Sequence, residues 1–196
     1  MSGGLRVYAY AVLLGLAGLA LGLWTTQAAL TGTLPISVDR FGPWRTPARA
    51  GAADADPYAR ARVERSGEIA LGLGEGLRLA AQVDSDGRAL DARCLYRVGP
   101  HAPPARYWTL SVEDDAGFPL ENVAGRYVLR SGEILRAPDG GFWISLSARA
   151  QPGNWLPLAG QGTFVLALRL YDPALTGLNA GADAAGAPRI ERGRCA

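Results

Sequence analysis

One stretch of the sequence restricts most strongly what this chain can fold into, because no charged residue occurs between Arg6 and Asp39. Residues 7–30 within it are almost wholly apolar. At about 1.5 Å per residue, a helix of this length reaches about 36 Å and crosses a hydrocarbon core of about 30 Å. Aromatic residues near both ends suit the two membrane interfaces. We therefore predict that residues 1–30 form a transmembrane anchor surrounded by membrane lipid.

A cleaved signal peptide is the alternative interpretation of this segment. Arg6 would supply the charge that precedes the apolar core, and the small residues at 26–29 would supply a cleavage site. The apolar core of a signal peptide usually has about 7–15 residues, whereas residues 8–24 already exceed that length. The length favours an uncleaved anchor.

Small residues recur along the apolar segment at steps of four and three, which places them on one helix face. A stripe of this kind lets two helices approach closely in lipid, where van der Waals packing drives their association. The alternative is chance in a chain rich in alanine and glycine. The pattern predicts a partner transmembrane helix or self-association. The residues of the stripe are Ala11, Gly15, Gly18, Gly22, Thr25 and Ala29.

The composition excludes several kinds of site chemistry. The formal net charge is only +2, so the chain has no basic field for nucleic acid. All 20 basic residues are arginine, which rules out Schiff-base and P-loop lysines. A single histidine, His101, and two cysteines cannot build a three-histidine or four-cysteine metal site. We expect no metal, no cofactor and no nucleic-acid partner.

The segment after the anchor, residues 31–55, is rich in proline, glycine and alanine and has no helical or strand periodicity. It is typical of an extended linker. Phe41 and Trp44 are too apolar for a free tether, so we expect part of this linker to lie on the surface of the domain.

A short capping helix follows the linker. Asp56 suits the N-cap, Pro57 the first helical position and Gly67 the left-handed position after the last turn. Three arginines on this helix suggest either contact with lipid headgroups or, more simply, a solvated face. They are Arg60, Arg62 and Arg65.

From residue 68 onward the hydrophobic period changes to two, which is typical of strands with one buried face. Asp-Gly and Asp-Ala-Gly turns separate the runs, and no strand–helix–strand alternation occurs. The chain is therefore predicted to be mainly β, with an antiparallel sandwich or barrel over residues 56–196. The residues expected in its core are Trp108, Leu110, Phe142, Ile144, Leu146, Phe164, Leu166 and Leu168.

The two cysteines bear on the compartment. Cys94 lies in a predicted strand and Cys195 is the penultimate residue. Two cysteines in a membrane-targeted chain favour one disulfide in an oxidising compartment, with two unrelated thiols as the alternative. Three arginines follow the apolar segment and one precedes it, and by the positive-inside rule this count would instead put the domain in the cytoplasm. These three arginines, however, stand far from the end of the apolar segment. The disulfide would pin the tail from 176 to 188 and favours an inner-membrane, single-pass protein with its C-terminal domain in the periplasm.

Several motifs occur in an order that resembles the bacterial family catalogued as domain of unknown function 1214, over about residues 54–196. The most specific is the run Pro-Gly-Asn-Trp-Leu-Pro at 152–157. Residues 56–61 and 189–192 are similar to a short, membrane-anchored branch of that family. The other motifs are Trp108-Thr109-Leu110, Gly117 with Pro119-Leu120, Arg126-Tyr127 with Leu129, Asp139-Gly140 with Trp143, Ser145-Leu146-Ser147 and Leu168-Arg169-Leu170-Tyr171.

The resemblance implies a jelly-roll-like β-sandwich. Longer relatives carry an additional N-terminal domain, catalogued as domain of unknown function 1254, which we expect this chain to lack. The family has no established activity, so the resemblance implies a fold and no reaction.

Candidate binding residues come from the strand pattern. If the predicted core residues face inward, several aromatic residues and arginines face outward, as at sites for a sugar ring or a partner protein. The alternative is that another layer covers this face. Asn154 and Trp155, in a predicted loop, serve either the backbone or a ligand. The candidates are Tyr107, Arg126, Trp143, Asn154, Trp155, Arg169 and Tyr171.

The sequence offers no catalytic residues. His101 has no Gly-x-Ser-x-Gly elbow to serve. Residues 113–115 are acidic, but glycoside hydrolysis requires two carboxylates across a cleft rather than three in a row. We therefore expect a non-catalytic binding or accessory module of the bacterial envelope, associated with a membrane complex. The alternative is an envelope enzyme acting on a glycan or small polar metabolite, which a deep cleft with converging ionisable groups would favour.

Overall fold

The computed structural model describes residues 2–31, 38–47, 51–52, 54–66, 71–72, 74–173 and 186–195. Two helices lie among them, α1 (Ser2–Leu30) and α2 (Pro57–Ser66). The strands are β1 (Val38–Phe41), β2 (Trp44–Pro47), β3 (Gly76–Ala81), β4 (Cys94–Gly99), β5 (Ala105–Glu113), β6 (Val128–Arg130), β7 (Ile144–Ser147), β8 (Asn154–Pro157), β9 (Val165–Pro173) and β10 (Arg189–Cys195).

The strands form two sheets packed face to face. The six-stranded sheet has the order β1-β2-β3-β9-β5-β6, and the four-stranded sheet has the order β10-β4-β7-β8. Both arise from the period-two pattern, because alternate residues of each strand supply one apolar face. The prediction of a mainly β sandwich preceded by an apolar helix and a short helix is confirmed.

The core lies between the two sheets. Leu168 of β9 stands opposite Leu79 of β3 and Leu110 of β5, and all three are buried. From the other sheet, Ile144 and Leu146 are fully buried against them. All eight predicted core residues are buried, so the predicted strand register is correct.

The extended linker predicted over residues 31–55 is wrong for residues 38–47. These residues form the β1–β2 hairpin, and Trp44 pairs with Ala81 of β3 to extend the six-stranded sheet. Trp44 is completely buried and donates its indole N–H to the carbonyl of Pro188 at 2.7 Å. Burial of this large ring favours the hairpin even though the segment has no strand periodicity. Residues 32–37, 48–50 and 53 lie outside the described part of the chain.

One pair of strands departs from the antiparallel prediction. β7 and β8 are parallel, with Ile144 opposite Asn154 and Leu146 opposite Leu156. The six residues between these short strands suffice to return the chain, since each extended residue reaches about 3.3–3.6 Å. The loop predicted at Asn154 and Trp155 is therefore the start of an edge strand.

The two cysteines form a disulfide, as predicted. Cys195 of β10 lies directly opposite Cys94 of β4, with their Cα atoms 3.8 Å apart. The bridge joins positions separated by 101 residues and fixes β10 to the four-stranded sheet. Of the tail predicted at 176–188, residues 176–185 lie outside the described part of the chain.

The helices follow their sequence signals. Residues Arg6–Leu30 of α1 are long and apolar enough to cross a membrane, with a mean hydropathy of 1.9, a property that an anchor and a signal sequence share. α2 begins at Pro57, and the Asp56 carboxylate caps it by accepting the N–H groups of Tyr58 and Ala59 at 2.9 and 3.1 Å. The predicted cap at Gly67 lies outside the described residues.

Candidate functional site

The seven candidate binding residues do not lie on one face, because some belong to the six-stranded sheet and others to the four-stranded sheet. Tyr107, Tyr171 and Arg169 lie on the outer face of the six-stranded sheet. Trp143 lies just before β7 in the four-stranded sheet. The remaining candidates, Arg126, Asn154 and Trp155, meet at the side of the sandwich where β6 and β8 are the edge strands.

On the outer face of the six-stranded sheet, the two tyrosines contact each other. Tyr107 and Tyr171 are paired across β5 and β9, with ring centroids 5.8 Å apart. Ser111 and Glu113 are on the same face of β5 but are buried. This face is therefore buried at the end that holds Ser111 and Glu113 and exposed at Tyr107.

Arg169 belongs to a buried ionic network on that face. Glu113, with its side chain 3% exposed, accepts hydrogen bonds from Arg169 at 2.6 Å, Arg78 at 2.8 Å and Ser111 at 2.7 Å. Burial raises the pKa of Glu113, but the hydrogen bonds from Arg169, Arg78 and Ser111 outweigh it and leave the pKa below its usual value. Glu113 is thus held as a carboxylate with a structural role.

Trp143 lies flat against β4. The guanidinium carbon of Arg97 is 4.3 Å from its ring centroid. A Cβ at Gly99 would stand 3.0 Å from the ring, so the glycine permits this close approach. Trp143 also lines a small groove of about 360 Å³ with His101, Arg189 and Glu191.

The larger cleft lies between the free edges of β6 and β8, and we call it the edge cleft. Its volume is about 710 Å³. Residues 124–130 line one side and residues 153–155 the other, together with Glu133 and Leu135. The edge cleft therefore lies between the two sheets, on the side where β6 ends one sheet and β8 ends the other.

Backbone groups of both edge strands point into this cleft. Ser131 donates its N–H to the carbonyl of Trp108 in β5. In an antiparallel pair, every second residue turns its N–H and C=O toward the neighbouring strand and the residues between them turn theirs away. Val128 and Arg130 are such intervening residues, so their N–H and C=O groups point away from β5. Leu158 donates its N–H to the carbonyl of Ser147 in β7. In a parallel pair, alternate residues of a strand bond to the neighbouring strand, so the N–H and C=O groups of Trp155 point away from β7. The carbonyls of Arg130 and Trp155 already accept hydrogen bonds, from the N–H of Glu133 and from Arg126. The other outward backbone groups of these two strands are the ones exposed to pairing with a ligand.

The candidate side chains at the edge cleft hold its walls in place. Asn154 accepts the N–H of Leu135 at 2.7 Å and donates its amide N–H groups to the carbonyls of Leu135 and Trp143. Trp155 donates its indole N–H to Ser147 at 3.0 Å. Arg126 reaches across the cleft and donates to the carbonyl of Trp155 at 3.1 Å.

The charges of the edge cleft are paired and exposed. Arg130 donates a hydrogen bond of 2.7 Å to Glu133, which lowers the pKa of that carboxyl. Tyr127 donates to Glu121 at 3.0 Å, and this bond raises the pKa of the phenol. Of the residues that line the cleft, Arg126 and Arg130 are basic and Glu133 is acidic, and Glu121 beside Tyr127 offsets the remaining positive charge. Among the described residues no group of three metal-ligating side chains occurs.

Sequence reasoning missed Tyr127, Arg130 and Glu133 as residues of this site. Period two shows which side chains face outward, but it does not show which strands end a sheet. Two family motifs pointed to this place in the sequence: Arg126-Tyr127 with Leu129 on one wall and the Pro-Gly-Asn-Trp-Leu-Pro run at 152–157, whose Asn154 fixes the other wall.

The fold and the edge cleft define a β-sandwich module with an open side, and comparison with known proteins places it in a family. Residues 75–175 match the model described as "Protein of unknown function (DUF1214)". The chain belongs to this family, as the resemblance implied. No curated protein matches it.

Two solved structures are similar. The VPA0106 protein from Vibrio parahaemolyticus has a TM-score of 0.62 and 21% identity, over 93% of this chain and 45% of that one. A putative uncharacterized protein from Burkholderia cenocepacia has a TM-score of 0.47 and 19% identity, over 90% of this chain and 42% of that one. This chain therefore spans under half the length of both, and the first likeness supports the fold alone.

Proposed function

We propose that this protein is a non-catalytic, membrane-anchored binding module of the bacterial envelope, which uses the edge cleft as its ligand or partner site. In this proposal α1 is retained as a single-pass anchor in the inner membrane and the sandwich lies in the periplasm. The membrane-anchored branch of the family would have the same arrangement.

The location is supported by two features together. Arg6–Leu30 is an apolar helix of sufficient length, and its side chains before residue 28 are exposed. The Cys94–Cys195 bridge requires an oxidising compartment to persist. A span followed by a disulfide-bonded domain favours a periplasmic rather than a cytoplasmic sandwich.

The observation that carries the binding role is the convergence of three candidate residues at the edge cleft. Its walls are fixed by Asn154, Trp155 and Arg126, while backbone groups of both edge strands face the space between them. A preformed site binds with less loss of conformational entropy. The pKa of the Glu133 carboxyl in the cleft is lowered. A general acid needs a raised pKa in order to hold its proton near neutral pH, so this direction favours binding over general-acid catalysis.

The helix face provides a second contact in this proposal. A Cβ built at Gly15, Gly18 or Gly22 meets nothing within 4 Å, so the face of the small-residue stripe around these glycines is open. We propose that it packs on a partner transmembrane helix or a second copy of α1.

A bulky residue placed in the edge cleft tests the binding role. Ala124 is exposed and lines the cleft, so Ala124→Trp should fill it without disturbing the core. Ala89 is exposed in the hairpin turn near β10, on the opposite side, and Ala89→Trp is the matched control. Each variant would be purified in mild detergent and its bound proteins and small molecules identified by mass spectrometry.

We expect at least one component to bind the wild type and Ala89→Trp but to be lost from Ala124→Trp. If Ala124→Trp retains every component that the wild type binds, the edge cleft is not the site and the proposal is wrong.

A further inference from the structure

The end of the apolar helix contacts α2. Side chains of α1 are exposed from Arg6 to Gln27, whereas Ala29 is only 3% exposed. The helix packed against α1 is α2, and its Ala59 is completely buried. Neither alanine belongs to the core between the sheets, and both lie on the two helices that contact each other.

This contact sets the depth of α2 relative to the membrane. The span Arg6–Leu30 has 25 residues. At about 1.5 Å per residue it covers about 37 Å, which exceeds a hydrocarbon core of about 30 Å but not the full bilayer of about 40–45 Å. Leu30 therefore lies in the headgroup layer, and α2, which packs beside it, must lie at the same level.

The sequence of α2 matches that environment. Within its bounds it carries Arg60, Arg62 and Arg65 against a single acid, Glu64, and its Tyr58 is 40% exposed. Two further acids precede it, Asp54 and the N-cap Asp56, so the basic residues are concentrated toward its C-terminal end. Arg60 and Arg65 are exposed. Guanidinium groups bind phosphate oxygens through paired N–H donors, and tyrosine is favoured at the membrane interface.

We propose that α2 is an interfacial helix whose arginines bind the phosphate groups of anionic phospholipids in the leaflet where α1 emerges. This inference rests on the anchor of the proposed function. It assigns a lipid-binding role to the arginines of α2 and explains why a short, highly charged helix is packed onto the end of an apolar one. The partner is the lipid surface and not free phosphate.

A depth measurement separates failure of this proposal from failure of the anchor. The full chain, with its disulfide formed, would carry one added spin label in phosphatidylcholine–phosphatidylglycerol nanodiscs, at Glu64→Cys or at Leu16→Cys. We expect the label at 64 to be relaxed by a nickel chelate attached to lipid headgroups and the label at 16 by oxygen only. A lipid-buried label at 16 with a fully aqueous label at 64 would overturn the α2 proposal, and an aqueous label at 16 would overturn the anchor.

A charge measurement tests the chemistry. Arg60→Gln, Arg62→Gln and Arg65→Gln together should lower the phosphatidylglycerol retained by the purified protein, relative to phosphatidylcholine, by about fivefold or more. The control replaces Arg106, Arg136 and Arg149, all exposed and outside α2, and should leave retention unchanged. Added inorganic phosphate should not compete. Equal retention by both triple variants would overturn the proposal, and if the α2 triple variant misfolds, Arg65→Gln alone should show a smaller loss in the same direction.

Discussion

Glu113→Gln is the sharpest test of how the six-stranded sheet is held together. Glu113 is a buried carboxylate on the outer face of β5, and it accepts hydrogen bonds from Arg169, Arg78 and Ser111. Glutamine has nearly the same shape but no charge. The substitution therefore leaves two guanidinium groups without their shared counter-ion and disturbs the packing little.

The expected cost follows from the burial of the three partners. Removing one member of a buried ion pair typically costs about 3–5 kcal/mol, because the remaining charge is left uncompensated. The side chains of Arg78 and Arg169 are 25% and 31% exposed, so water recovers part of that loss. We expect Glu113→Gln to lower the free energy of unfolding by about 2–3 kcal/mol at neutral pH.

The effect should depend on pH in a defined direction. The folded pKa of Glu113 lies below the ordinary glutamate value of 4.5, so the carboxylate stabilises the folded state above the unfolded pKa. That contribution is lost as the pH falls through the folded pKa. The difference between wild type and Glu113→Gln should therefore be constant from pH 7 down to about 5 and shrink below it.

Urea unfolding of the full chain in mild detergent, followed by tryptophan fluorescence, measures both quantities. Glu133→Gln is the matched control, since Glu133 also pairs with an arginine but is 47% exposed. We expect that control to leave the free energy of unfolding nearly unchanged. Equal effects of the two substitutions, or a difference for Glu113→Gln that persists unchanged in acid, would refute the reasoning.

Three further predictions concern the core, the bridge and the anchor. Leu168→Ala should lower the free energy of unfolding by about 2–5 kcal/mol in the same assay, and a negligible change would contradict its place in the core. Reducing the Cys94–Cys195 bridge should cost roughly 4 kcal/mol, and non-reducing mass spectrometry that finds free thiols would remove the argument for the periplasm. Gly18→Leu with Gly22→Leu should preserve membrane insertion but weaken association in native electrophoresis, whereas an unchanged complex size would leave α1 as a tether.

The sequence predicts the central strands well where an apolar face alternates with a more polar one. In β5 the buried Trp108 and Leu110 alternate with Tyr107 and Thr109, and this pattern fixes both the strand and its register. The disulfide was predictable for a similar reason, since two cysteines in such a chain allow one pairing. The eight predicted core residues therefore followed from local pattern alone.

The edges of the sheets were not predictable in this way. β2 is recruited by burial of Trp44 and by pairing with β3, which are contacts distant in sequence. β8 pairs with the nearby β7 in parallel, a geometry that the alternation of apolar residues does not indicate. Tyr107, Arg126, Trp143, Arg169 and Tyr171 were expected to face outward on one surface, but Trp143 precedes a strand of the other sheet and Arg126 lies at the edge cleft. A hydrophobic period of two indicates which face of a strand is buried. Which sheet the strand joins, and at which position, is decided by pairing with other strands.

The two sides of the sandwich are closed differently, and this difference is the strongest structural reason to look for function at the edge cleft. On the β10 side, the buried indole N–H of Trp44 bonds to Pro188, and Ile190 exchanges hydrogen bonds with Ser85. The start of β10 is thereby tied to β2 of the other sheet and to the turn that follows β3. On the β6–β8 side, Arg126 is an exposed side chain that spans a polar space. A protein that needed only a stable sandwich would gain by closing both sides, because open edges invite pairing with other chains. Holding the second side open, with its walls fixed by Asn154, is what a binding module requires.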